Sequence, residues 1–136
     1  MQKIIKVEEG RSLNLKASAF SPIVYNKLFR KRDFLRDMEI LKSMKDKKEE
    51  ATFEMEHYEY FVRIAYTFAY QGLAPTPRET KEQKEFREKY PDAWTWVDSF
   101  NTFSIYEILP EIVDLWYQNE ETITKPKNPV PAPPGK

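Results

Sequence analysis

The chain has 136 residues, 22 of them basic and 22 acidic, for a formal net charge of zero, with no cysteine and one histidine. These totals fit one domain, exclude disulfides, thiolate metal sites and cysteine nucleophiles, and argue against a nucleic-acid partner, which normally meets a basic excess. Aromatic residues reach 15%, so rings should supply much of the core, each burying a large area.

In chain order, "KIIKVEEGRSLNLKA" places β-branched Ile4, Ile5 and Val7 before a turn at Gly10, then alternates Leu13 and Leu15 with polar residues. That period-two pattern predicts a β-hairpin with strands at about 2–7 and 12–18. A lone hairpin is marginal in water, so it must pack on helices or pair with another copy of the chain. Ser21 and Pro22 mark a helix start, a capping hydroxyl followed by proline in the first turn, and predict a helix near 22–30. Phe34, Leu35, Met38 and Leu41, widened by Ile40 and Met44, recur at helical spacing and predict a second helix near 32–46.

"FEMEHYEYFVRIAYTFAYQG" predicts the third helix, near 53–71. Between Tyr60 and Tyr70 only Arg63 and Thr67 are polar, so this helix should be the central one, with Gly72 as its stop. Pro75 and Pro77 interrupt the chain. The stretch 78–89 reads as a polar helix or ordered loop with Phe86 as its only anchor. A short helix near 92–101 presents Ala93, Trp96, Val97 and Phe100 on one side. The last, near 104–118, opens on the Ser104/Glu107 capping-box pair and carries Ile105, Ile108, Leu109, Ile112 and Trp116, with Pro110 expected to kink or split it. The fold class is therefore mainly α: a single helical domain over 1–120 with an N-terminal hairpin. The remainder, 121–136, is expected to be a disordered, proline-rich linker.

Catalytic constellations are sparse. Glu54 and His57 have Glu-x-x-His spacing, but one such pair lacks the further ligands of a di-metal bundle. No Gly-x-Ser-x-Gly elbow or glycine-rich phosphate loop occurs. The expectation is a protein that is not an enzyme and needs no cofactor or metal. No apolar run approaches the ~18 residues of a membrane span, and "MQKIIKVEEG" lacks a secretory signal's apolar stretch, which points to the cytoplasm. Lys27, Arg30, Lys31, Arg32 and Arg36 form one basic concentration, read as a solvated face or a patch for an acidic partner. Trp94 with Trp96, and Trp116 with Tyr117, are too close in sequence for both rings to face one core. Exposed tryptophan is enriched at interfaces. The candidate partner-binding residues are Arg30, Arg32, Phe34, Trp94, Trp116 and Tyr117.

Taken in order, the hairpin, "YNKLFRKRDFLRDMEIL", "FVRIAYTFAYQG", "AWTWVDSF" and "FSIYEILPEIVDLWYQNEETITKPK" resemble the tail assembly chaperones of long non-contractile-tailed phages and prophages of Gram-positive bacteria. The resemblance spans about 1–127 and is closest from Trp94 to Lys127. The chain departs from it at "FRKRDF", where a glycine is expected before the Arg-Asp pair. The resemblance implies a small helical protein of the host cytoplasm that binds the tape measure protein, keeps it soluble while tail tube protein polymerises, and is absent from the mature virion. It also implies a longer form, made by a programmed −1 ribosomal frameshift, whose extension recruits tail tube protein. Gly135-Lys136 would suit a slippery site there, and the proline-rich tail would be the linker. Self-association through the hairpin is a further expectation. The competing reading is a small adaptor or regulatory module, either a head–tail connector or a DNA-associated factor.

Overall fold

The computed structural model of the chain describes residues 1–46 and 54–124. Strands β1 (Gln2–Glu8) and β2 (Arg11–Lys16) form an antiparallel hairpin. They are followed by α1 (Ser21–Leu28), α2 (Phe34–Asp46), α3 (Met55–Gln71), α4 (Lys81–Lys89), α5 (Ala93–Asp98) and α6 (Ile105–Thr124). The protein is mainly helical, as the sequence pattern predicts.

α3 is the hub. From Tyr60 to Gln71 every residue except Arg63 is buried, and the helix touches β2 and each of the five other helices. The polar Thr67 and Gln71 also turn inward. Thr67 is fully buried and its hydroxyl donates to the Arg63 carbonyl at 2.9 Å. The hairpin lays Ile5, Val7 and Leu15 onto this core and leaves Gln2, Ile4, Lys6 and Ser12 facing out. Packing on helices thus answers the marginal stability of an isolated hairpin.

Two glycines are required for opposite reasons. Gly10, in the hairpin turn, has φ +79°, a left-handed conformation, with open space where a Cβ would be; here the backbone angle demands glycine. Gly72 caps α3 in the right-handed region, φ −67°. It is the stop expected from the sequence, but without the left-handed angle that commonly calls for glycine at a helix end. A Cβ there would lie 1.8 Å from the Asn14 carbonyl oxygen, so close approach of β2 demands glycine.

Several boundaries move. α1 stops at Leu28, and Lys31 adopts φ +63° before the chain re-enters helix at Phe34. Ser21 does not cap α1. Its buried hydroxyl accepts the Ser18 N–H and donates to Gln71 at 2.5 Å, tying the start of α1 to the end of α3. α4 starts at Lys81 rather than 78, because Thr80 and Gln83 form a reciprocal capping box. α5 is shorter than expected, capped by the Asp92 carboxylate, which accepts the Thr95 N–H at 2.7 Å. Pro110 lies within α6 without splitting it. α6 also continues past 118 to Thr124, so the expected disorder from 121 is corrected there. No breaker occurs until Pro126, which disfavours helix at the residue before it. The rest of the expected linker, with Gly135-Lys136, lies outside the described residues.

Candidate functional site

The predicted partner residues divide between core and surface. Phe34 and Trp116 are buried and pack edge to face, ring centroids 4.8 Å apart, where α2 meets α6. Their rings are therefore committed to the core, a correction to their reading as contact residues. Both lie on the apolar stripes of their helices, which is why the interior claims them. Tyr117, one position on, is half-buried with the Lys42 ammonium 5.4 Å from its ring centre. Arg30 is exposed beyond the end of α1.

Arg32 turns back into the protein. It reaches Asp37, Nη2 to Oδ2 3.4 Å, and its guanidinium lies 5.0 Å from the Tyr60 ring centre. Asp37 is fully buried, accepts the Tyr25 hydroxyl at 2.7 Å, and has Arg36 3.6 Å from its other oxygen. Burial, then the hydrogen bond to Asp37, pushes the Tyr25 phenol well above its usual range. Arg32 and Arg36 thus face a charge cluster around buried Asp37 that joins α1, α2 and α3, while Lys27, Arg30 and Lys31 stay exposed. A buried carboxylate needs such partners. Sequence reading missed Asp37, although the signal is present: it falls on the stripe of Phe34, Met38 and Leu41, three residues after the first and four before the last.

Trp94 is the predicted aromatic residue that remains exposed, at 39%. α5 buries Ala93 and Trp96, and this phase turns Trp94 outward. Its indole stacks on the half-buried Tyr58 ring of α3, centroids 5.8 Å apart and planes within 8°. Tyr58 in turn packs edge-on against the buried Phe61. Met55, one turn before Tyr58 on the same face of α3, is 71% exposed. Met55, Tyr58 and Trp94 thus make an apolar platform, backed at Tyr58 by the buried Phe61 ring. Tyr58 and Met55 escaped sequence reading because their significance depends on α5 docking beside α3.

A second feature lies at the other end of α3. Glu79 accepts Arg87 Nε at 2.6 Å, Arg87 Nη2 at 2.9 Å and the Tyr70 hydroxyl at 2.6 Å. These bonds, Arg87 foremost, lower the Glu79 carboxyl to about 2. Burial raises the Tyr70 phenol, aided by Glu79. Gln83, buried beneath, donates to the Tyr70 carbonyl at 2.9 Å. This cluster fastens the proline-containing loop and α4 onto α3.

His57 is half-buried beside Tyr60. Among the described residues, no group of three or more histidine, cysteine, aspartate or glutamate side chains is placed to hold a metal ion, and no helix is long and apolar enough to cross a membrane. No known protein-family model, curated protein or solved structure matches this chain.

Proposed function

We propose that this chain is a phage tail assembly chaperone that holds the tape measure protein in soluble form while tail tube protein polymerises. The resemblance of residues 1–127 supports this reading, and the platform of Met55, Tyr58 and Trp94 is the structural observation that carries it. A partly exposed aromatic and methionine surface suits the apolar face of an amphipathic helix. Aromatic anchors give much contact area for little lost side-chain freedom, and methionine adapts to irregular partners. On this reading the protein acts in the host cytoplasm, leaves before the virion is complete, and has a frameshifted longer form that engages tail tube protein. The adaptor reading in its DNA-associated form has less to work with, since Arg32 and Arg36 face Asp37.

Co-expression tests the proposal. On this reading a tape measure gene lies nearby; its product, co-expressed with the chain, should become soluble and co-purify, and Trp94→Ala should weaken that capture while leaving the circular dichroism unchanged. A tape measure protein equally insoluble with and without this chain would sink the idea.

A further inference from the structure

The two outer edges of the hairpin differ. The Met1 amino group donates to the Ala17 carbonyl and the Ala17 N–H donates to the Met1 carbonyl, each at 2.9 Å. Such doubly bonded pairs alternate along an antiparallel ladder, so Lys3–Leu15 and Ile5–Leu13 are the next ones. Gln2, Ile4 and Lys6 consequently turn their N–H and C=O groups away from β2. The matching outward residues of β2 are Ser12, Asn14 and Lys16.

The β2 edge is covered at Asn14 and Lys16. The Asn14 carbonyl abuts Gly72, the Asn14 side chain donates to the Gly72 carbonyl at 3.0 Å, and the Lys16 ammonium donates to the Ala74 and Pro75 carbonyls at 3.3 Å. The β1 edge is open. Among the described residues the sheet has only these two strands, and no other segment takes up the outward backbone groups of Gln2, Ile4 or Lys6. Beside β1 lies a cleft of about 260 Å³, with Lys3 and Ile4 on one wall and Glu107, Ile108 and Glu111 of α6 on the other. Ile4, at the middle of the strand, is 72% exposed.

We propose that two copies of the chain join through this edge, β1 against β1, antiparallel about a two-fold axis at Ile4. The sequence is self-complementary in that register. Gln2 pairs with the second copy's Lys6, Ile4 with its own counterpart, and Lys6 with the second copy's Gln2. Every outward backbone group of the three residues then finds a partner, the exposed Ile4 side chains cover each other, and no lysine opposes a lysine. Centring on Ile5 instead sets Ile4 against Lys6 and runs into the irregularity between Lys6 and Glu8. On the inner face, each Lys3 approaches the other copy's cleft. There Glu107 and Glu111 have Lys3 nearby, bonded to Glu111, whereas the Lys6 ammonium pairs with Glu9. A second lysine therefore meets a carboxylate-rich wall.

The absence of cysteine makes the register directly testable. Doubly bonded antiparallel pairs have Cα atoms ~5.5 Å apart, inside the ~4.4–6.8 Å range of disulfides. Ile4→Cys should form a covalent dimer under mild oxidation, and Ser12→Cys, exposed on the same face but one strand inward, should not. Wild-type chain should sediment as a concentration-dependent dimer, and Ile4→Lys should shift it to monomer with its circular dichroism unchanged. A wild-type monomer at all concentrations, no cross-link at position 4, or equal cross-linking at position 12 would each overturn the proposal. The first of these would leave the open edge to a strand of a different protein.

Discussion

The Asn14 carbonyl oxygen occupies the space that a side chain on residue 72 would need. It lies 1.8 Å from where a Cβ on residue 72 would stand, and both residues are held by backbone pairing, Asn14 in the hairpin and Gly72 at the end of α3. Gly72→Ala must therefore push β2 away from α3 or unwind the helix end. Overpacking of this kind costs about 1–3 kcal/mol or more, and the upper end is expected here because neither neighbour is a flexible side chain. Gly10→Ala, which meets no atom but must hold φ +79°, should cost about 1–2 kcal/mol. Urea denaturation of both variants checks the order. Equal losses would show that β2 can retreat from Gly72 at little cost.

Lys31 offers the converse change. Its φ of +63° is strained for a residue with a Cβ, and it stands in "FRKRDF", where the resemblance leads one to expect glycine before Arg32-Asp33. Lys31→Gly removes the strain, ~1–2 kcal/mol, but raises the entropy of the unfolded chain by up to ~1 kcal/mol. A net gain of about 0.5–1 kcal/mol is expected, read as a higher denaturation midpoint at unchanged slope.

Asp37 is the most sensitive polar residue of the fold. Asp37→Ala would leave the Tyr25 hydroxyl and the Arg32 guanidinium without their shared acceptor in a buried setting. Removing one partner of a buried charge group typically costs about 3–5 kcal/mol. Arg36→Ala, whose side chain is 59% exposed, should cost no more than about 1 kcal/mol. Thermal melts of the two variants distinguish a buried cluster from a solvated patch.

The sequence makes the architecture legible where one segment carries its own pattern. The near-unbroken apolar run of α3 announces a central helix, and the alternation around Gly10 announces a hairpin. The phase of α5 even separates Trp96, inside, from Trp94, outside. Illegible features are those whose partner lies far along the chain. Ser21 looks like a helix cap until Gln71, fifty residues on, claims its hydroxyl. Gly72 looks like a simple helix stop until Asn14 arrives beside it. Of the candidate site, Trp94 is readable from helical phase, but Tyr58 acquires meaning only when α5 stacks upon it.

The last prediction concerns pH. The Glu79 carboxyl is lowered from 4.5 to about 2 by Arg87 and Tyr70. A carboxyl that is more acidic when folded stabilises the fold above its unfolded value, and that contribution disappears as pH falls through the folded value. Stability should therefore decline as pH drops from about 4.5 toward 2. Glu79→Gln should be less stable at neutral pH and show a shallower decline over the same window. The Glu79 side chain is about a third exposed, so solvent screening makes the effect smaller than its lowered acidity alone suggests. Because Glu79 holds the loop that α4 follows, the loss should appear first as faster amide exchange in Lys81–Lys89, ahead of global unfolding. A Glu79→Gln chain with the wild-type acid profile and unchanged exchange in α4 would show that Gln83 and Phe86 alone hold that helix in place.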